Sequence, residues 1–173
     1  MTPRSIPCLP PDAALFAPYG TFITPPARAG GRAYFSDHLG DGTLGAPVLH
    51  VNRIEPTALP YTLSVVERHP RADQVFIPLD VARYVVVVMP SDTAGNPDPR
   101  RALGFLVPGT MGVIYHARVW HGGATVLDRT GSFSVLMWRQ GDDADDEFRT
   151  IGGIEVTADA PRPRHAVLQT AGK

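Results

Sequence analysis

The stretch Tyr84-Val85-Val86-Val87-Val88-Met89 decides the fold class that this sequence predicts. Its four consecutive valines show no alternation of apolar and polar residues, so we expect a strand that is buried on both faces. Around it, the 17 Gly and 18 Pro recur between short β-branched and aromatic runs, which is typical of many short strands joined by turns. An all-β barrel or double sheet is the simplest architecture with these properties.

The predicted strands cover most of the chain between residues 48 and 138. They are Val48–Arg53, Tyr61–Arg68, Val75–Pro78, Tyr84–Met89, Gly104–Val107, Gly112–Ala117, Ala124–Asp128 and Ser132–Trp138. Only Pro11–Tyr19 has the pattern of a short helix, with Asp12 near its start. We expect one barrel domain over residues 1–156 and a C-terminal tail over residues 157–173, where two prolines stand among polar residues.

Composition argues against several classes of partner. The formal net charge is −1, so the chain lacks the basic surface expected of a protein that binds nucleic acid or an anionic membrane. No apolar run approaches the length of a membrane span, and the N-terminus lacks a signal-peptide pattern. Cys8 is the single cysteine and cannot form an internal disulfide, so a cytoplasmic setting is expected.

Acidic and basic side chains are concentrated where the second predicted strand ends. Alternate residues of a strand share one face, so Leu63, Val65, Glu67 and His69 are expected to point the same way. If Leu63 and Val65 face the interior, Glu67 and His69 lie at the mouth of one cavity. The next strand, after a short turn, can return Gln74 beside them.

The spacing of Glu67, His69, Gln74 and His121 resembles the metal-binding pattern His-x-His-x3-4-Glu, with a later His, of the cupin superfamily. Here Glu67 stands in place of the first histidine and Gln74 in place of the carboxylate. Two histidines, one carboxylate and one amide can hold a divalent ion, but an uncharged Gln weakens such a site. We therefore predict that no cofactor is required, with a divalent metal at these four residues as the alternative.

Five blocks of sequence stand in a distinctive order. They are Phe16–Gly20, Val51–Arg53, Glu67–Pro70, Gln74–Leu79 and Gly112–His121. In this order and spacing they resemble the ureidoglycolate lyase family, over roughly residues 12–140. The resemblance implies a cupin-like double-stranded β-barrel (jelly roll), commonly a homodimer, that cleaves ureidoglycolate to glyoxylate and urea in allantoin (purine) catabolism.

Three departures from that family border the expected site. Gly122-Gly123-Ala124 follows where the family has a second His and Pro-Leu, and Trp138-Arg139 replaces Asp-Arg. The acidic run Asp142–Glu147 also differs, and we expect it to be a solvated turn. The chain could therefore also be a paralogue that acts on another small carboxylate. Two further alternatives stay open, which are a metal-dependent cupin oxygenase or isomerase and a non-catalytic cupin that binds a small carboxylate.

The residue types match the chemistry that the resemblance implies. Elimination from ureidoglycolate needs a base for the hydroxyl proton and an acid for the urea nitrogen, and we predict that Glu67, His69 and His121 share these roles. An arginine suits the substrate carboxylate because its planar fork binds a carboxylate bidentately. The predicted substrate-binding residues are Asn52, Arg53, Arg68, Gln74, Tyr115, His116, Trp120 and Arg139. His50, outside the five blocks, is expected to be structural or solvated.

Overall fold

The computed structural model describes residues 4–39, 45–139 and 145–158. Its strands in chain order are β1 (Arg4–Leu9), β2 (Gly20–Ile23), β3 (Ala46–Ile54), β4 (Tyr61–Arg68), β5 (Gln74–Pro78), β6 (Arg83–Met89), β7 (Leu103–Pro108), β8 (Gly112–Tyr115), β9 (Trp120–His121), β10 (Thr125–Leu127), β11 (Gly131–Arg139) and β12 (Glu147–Thr157). One helix, α1 (Ala13–Phe16), and the 3-10 turns Ser36–His38 and Pro99–Arg101 complete the described elements. Every predicted strand is present, with ends that differ by at most two residues.

Hydrogen bonding between the strands confirms the predicted all-β barrel. The first sheet, called the barrel sheet here, has the strand order β10-β6-β7-β1-β12-β4-β9. β9 also pairs with β6, so the barrel sheet closes on itself. The second sheet has the order β2-β8-β5-β11-β3 and lies against the barrel through a shared apolar core.

The four valines of β6 are buried on both faces, as predicted. Val85 and Val87 belong to a core cluster whose members come from the strands and connections of the barrel sheet, so they fill the barrel interior. Val86 and Val88 belong to a second cluster that draws residues from both sheets. Each of the four is at most 3% exposed. The run therefore packs against two cores, which explains why it has no polar position.

A register shift between β4 and β12 changes which residues face the site. Leu63 pairs with Ile154 and Val65 pairs with Thr150, so three residues of β12 stand opposite one residue of β4. Consequently Leu63 packs inside the barrel, whereas Val65 is 48% exposed. The expectation that both share a face with Glu67 was wrong, because strand alternation does not hold across this irregularity.

The two ends of the described chain meet in the barrel sheet. β1 runs parallel to β12 along Arg4–Pro7 and parallel to β7 at Cys8 and Leu9. The short helix α1 begins where predicted, since the Asp12 side chain accepts hydrogen bonds from the first helical amides at 2.9 and 3.0 Å. Of the predicted tail, only Thr157 and Ala158 fall within the described residues. Among the described residues, no helix is long and apolar enough to cross a membrane.

Candidate active site

A cavity of about 240 Å³, called the site cavity here, opens between β4 of the barrel and the second sheet. Its wall consists of His50, Asn52, Ile54, Glu67, His69, Gln74, Phe76, Ala124, Met137, Arg139, Asp146 and Phe148. A larger cavity of about 550 Å³ lies elsewhere, and its charged lining residues are Arg83 and Asp128. Those two bind each other through two hydrogen bonds of 2.6 and 2.9 Å. The smaller cavity therefore holds the reactive groups.

Local pairing explains how the reactive side chains come together. Glu67 stands directly opposite His121 in the β4–β9 pair. Gln74 begins β5 and pairs with Tyr115 on β8. The connection that carries His69 is fixed at its carbonyl oxygen, which accepts a hydrogen bond of 2.7 Å from the Arg118 amide. Neighbouring strands thus bring residues from both sheets to one end of the barrel.

The His69 ring has a defined proton arrangement. Its Nδ1 lies 2.8 Å from the carbonyl oxygen of Asp145 and 3.0 Å from the carboxylate Oδ1 of Asp146. Both partners accept hydrogen bonds, so Nδ1 carries the proton and Nε2 of the neutral ring has a lone pair. Nε2 is buried and has no hydrogen-bond partner among the residues that the structure describes. A buried polar atom in this condition is suited to contact a ligand.

His121 lies behind the cavity wall and is only 1% exposed. Its Nδ1 is 3.0 Å from the Val119 carbonyl oxygen, and its Nε2 is 3.2 Å from Gln74 Oε1 and 3.5 Å from Glu67 Oε1. The ring stacks on Tyr115 with centroids 4.1 Å apart. Each ring nitrogen of His121 therefore faces an oxygen acceptor, with Gln74 and Glu67 both on the Nε2 side.

Glu67 is ionised in this environment. Burial raises the pKa of its carboxyl group, but the hydrogen bond from His121 and the electrostatic interactions with His121 and His69 outweigh burial and lower the pKa below its usual 4.5. Glu67 lines the site cavity beside His69. The cavity therefore presents a carboxylate and an imidazole lone pair to the same small volume.

The side chains of Glu67, His69 and His121 also fit a divalent cation. One ligand atom from each lies within 4.8 Å of the other two. Two ring nitrogens and a carboxylate oxygen are donors that divalent transition metals prefer, and the unpartnered His69 Nε2 is available to such an ion. Gln74, the predicted fourth ligand, lies in contact with His121.

Three arginines were predicted as possible anchors for a carboxylate, and they occupy different places. Arg139 lines the site cavity, where its Nη2 lies 3.1 Å from Asp146 Oδ2 and its buried Nε has no partner in the described part of the chain. Arg53 has a side chain that is 66% exposed and pairs with Asp80 at 3.6 Å. Arg68 pairs with Glu147 at 2.8 Å and lies over the Trp120 ring at 4.5 Å. The structure brings only Arg139 of these three to the cavity wall.

The aromatic candidates lie outside the cavity wall. Trp120 is fully buried inside the barrel and donates a hydrogen bond of 3.2 Å to the Gly95 carbonyl oxygen. Tyr115 is buried between the two sheets and contacts the site through the stacked His121 ring. His116 is half-buried just beyond β8, with its amide bonded to the Tyr19 carbonyl oxygen. Asn52 and Gln74, by contrast, line the site cavity.

Some residues of the wall were not anticipated from the sequence. His50 lies in the wall, two residues from Asn52 on the same strand face, so the period-two pattern of β3 was the available signal. The acidic run was expected to be a solvated turn, and this was wrong for its described part. Asp145 is 3% exposed and accepts hydrogen bonds from the amides of Arg71 and Ala72. Asp142–Ala144 lie outside the described residues.

These features define a class of protein: an all-β barrel with a small cavity whose described wall combines two imidazoles, two carboxylates and a guanidinium, groups that are suited to acid–base chemistry or metal binding. The family model for ureidoglycolate lyase matches residues 4–153. The chain therefore belongs to the ureidoglycolate lyase family, as the sequence blocks indicated.

Two curated relatives illustrate the similarity. The chain is 41% identical over 93 residues to the ureidoglycolate lyase of Burkholderia cepacia, which is 53% of this chain and 51% of that protein. It is 37% identical over 89 residues to the ureidoglycolate lyase of Escherichia coli (strain SMS-3-5 / SECEC), which is 51% of this chain and 54% of that protein. The chain thus spans about half the length of the curated relatives it matches.

Among solved structures, RmlC from Streptococcus suis in complex with dTDP-D-xylose aligns with a TM-score of 0.39 and 14% sequence identity. The alignment covers 54% of this chain and 44% of that chain.

Proposed function

We propose that this protein is a ureidoglycolate lyase that releases glyoxylate and urea from ureidoglycolate. Membership of the family supports the reaction class. The observation that carries the proposal is the wall of the site cavity, where Glu67, the unpartnered Nε2 of His69 and the unpartnered Nε of Arg139 meet. In the proposed reaction His69 would act as the base, Glu67 together with His121 as the acid, and Arg139 as the cation that elimination from a small carboxylate requires.

Substrate binding follows from the polar groups of the wall. Ureidoglycolate carries a carboxylate, a hydroxyl group and a urea nitrogen on one carbon. Arg139 offers a buried N–H that no described residue pairs with, and a guanidinium suits a carboxylate. Asn52 and Gln74 each offer an amide, which can both donate to and accept from the urea group.

Proton transfer can then proceed without a change in the fold. His69 Nε2 takes the hydroxyl proton, the O–H electrons form the carbonyl bond of glyoxylate, and the C–N bond breaks. The departing urea nitrogen takes a proton from the Glu67–His121 pair. Because His121 lies behind Glu67, its proton reaches the substrate through the carboxylate. Proton exchange with solvent restores both groups after the products leave.

Glyoxylate release from ureidoglycolate by the purified protein tests the proposal directly. Wild-type protein is expected to turn over the substrate, and Glu67→Gln, which keeps the shape of the side chain, is expected to lose most of the activity. A folded wild-type protein that binds glyoxylate but releases none from ureidoglycolate would be the non-catalytic carboxylate binder. Turnover of another small carboxylate in its place would identify the paralogue.

Cofactor independence stays a prediction. The cluster of Glu67, His69 and His121 would hold a divalent cation, which when bound supplies a Lewis acid for the substrate oxygen. Since Gln74 replaces the charged fourth ligand, we expect activity to survive exhaustive dialysis against a chelator. Assays before and after dialysis, with metal content measured on the same samples, check this. Activity that is lost to chelator and restored by one metal would contradict it.

We further propose that the protein works in the cytoplasm as a homodimer, in allantoin catabolism, without nucleic-acid or membrane partners. The family resemblance and the near-zero net charge support this reading. Light scattering coupled to size-exclusion chromatography measures the oligomeric state.

A further inference from the structure

We infer that Asp146 is the positioning residue of the site, because one carboxylate holds both His69 and Arg139; this inference rests on the proposed function. Its Oδ1 lies 3.0 Å from His69 Nδ1, and its Oδ2 lies 3.1 Å from Arg139 Nη2. The side chain is 20% exposed and belongs to the cavity wall. A single group therefore links the predicted base to the predicted anchor.

The contact with His69 bears on the proton-transfer step. The Asp145 carbonyl and the Asp146 carboxylate share the Nδ1 proton, which orients the ring and directs the lone pair of Nε2 to the substrate. When Nε2 takes the hydroxyl proton, the ring becomes an imidazolium. Of the two partners only the Asp146 carboxylate brings a full negative charge to balance it, as in other carboxylate–histidine pairs.

The contact with Arg139 bears on binding. Asp146 accepts a hydrogen bond from Nη2 and leaves the buried Nε without a partner among the described residues, so the guanidinium is held in place while one N–H stays available to the substrate. The same carboxylate also offsets the positive charge that attracts an anionic substrate. Asp146 therefore favours orientation and turnover while it weakens the binding of anions.

The neighbouring acids have other partners. The Asp145 carboxylate accepts from the amides of Arg71 and Ala72 and from Arg71 Nε. Glu147 binds Arg68, which points away from the cavity toward Trp120. Of the described residues in the acidic run, Asp146 alone lines the site cavity.

Asp146→Asn tests the inference because it removes the charge and keeps the shape. We expect kcat for ureidoglycolate to fall on the order of 10- to 100-fold, the usual effect of losing such a supporting partner. We expect KM to stay the same or to fall, since the cavity becomes more positive. Asp146→Glu, which restores a carboxylate, is expected to recover most of the lost turnover. Asp128→Asn, which removes an equal charge beside the other cavity, is the matched control and should change neither constant.

A second measurement does not depend on turnover. Calorimetric titration with glyoxylate is expected to show tighter binding by Asp146→Asn than by wild type. If wild type does not act on ureidoglycolate, the proposed function fails, and the titration alone decides the inference. Three outcomes for Asp146→Asn would overturn the role of Asp146. The first is a kcat within threefold of wild type. The second is a lower kcat with a higher KM and a lower melting temperature, and the third is glyoxylate affinity that is absent or unchanged.

Discussion

Among the residues that the structure describes, Arg139 carries the only guanidinium in the wall of the site cavity, so a bound carboxylate would meet one guanidinium there. A charged hydrogen-bond pair contributes about 1.5–3 kcal/mol, which corresponds to roughly 10- to 100-fold in binding. We predict that Arg139→Met raises KM for ureidoglycolate by about that factor. The control is Arg53→Met, because the Arg53 guanidinium pairs with Asp80 outside the cavity. The KM of this variant should stay within twofold of wild type. Equal changes in KM for the two variants would remove Arg139 as the anchor.

His121 is expected to contribute to the turnover rate, whereas Arg139 is expected to contribute to substrate binding. His121→Asn keeps a polar side chain that cannot transfer a proton at neutral pH, and the backbone pairing of β9 is unaffected. We predict a loss of about 10²-fold or more in turnover, in the range of general acid–base catalysis, with little change in glyoxylate affinity. Steady-state kinetics and calorimetry measure the two quantities. A folded variant within a few-fold of wild type would shift the proton-transfer role to Glu67.

Local spacing predicts part of this site, and distant contacts determine the rest. Glu67, His69 and Gln74 are close in sequence on two successive strands, so strand geometry was sufficient to group them. The choice of Arg139 over Arg68 depends on which face of its strand each side chain occupies. Asp146 could not be anticipated, because its contact with His69 joins segments that are far apart in the chain and no pattern in either segment indicates it.

At the scale of elements, the register shift between β4 and β12 depends on the backbone conformation of Gly153, and a substitution there can test this. Gly153 has a φ of +79°, a conformation that glycine adopts at little cost and other residues adopt at about 1–2 kcal/mol. We predict that Gly153→Ala lowers the free energy of unfolding by about this amount in chemical denaturation. Gly152→Ala is the control, because its added Cβ meets open space and its φ is not in this region. Equal stability of the two variants would contradict the account.

The sequence analysis did not predict four strands, β1, β2, β9 and β12. β2 has only four residues and begins with a glycine. β1 and β12 contain Pro, Gly and charged residues that obscure the period of a strand, and their pairing joins opposite ends of the chain. β9 has two residues, too few for any periodicity. The strands that were predicted, such as β6, carry β-branched runs whose burial is encoded locally.

At the scale of the whole molecule, β12 is required because its side chains form part of the barrel core. Ile154 and Val156 are fully buried in the barrel core, and losing a large buried side chain costs about 2–5 kcal/mol of a total near 5–15 kcal/mol. We predict that a chain ending at Ala158 keeps its thermal midpoint within about 2 °C, whereas a chain ending at Gly153 does not fold. Circular dichroism melts check both. A large loss of stability in the longer chain would contradict the predicted domain boundary.

The closure of the barrel by β9 joins stability and reactivity in one place. In the described part of the chain the two-residue strand β9 joins β4 to β6, with the Trp120 side chain filling the barrel interior and the His121 side chain contacting Glu67 and Gln74. A local opening that breaks the pairing of β9 would expose the barrel interior to solvent and would separate His121 from Glu67 at the same time. The Glu67–His121 pair can therefore persist only as long as β9 stays paired. Slow hydrogen exchange at the Trp120 and His121 amides would measure both lifetimes.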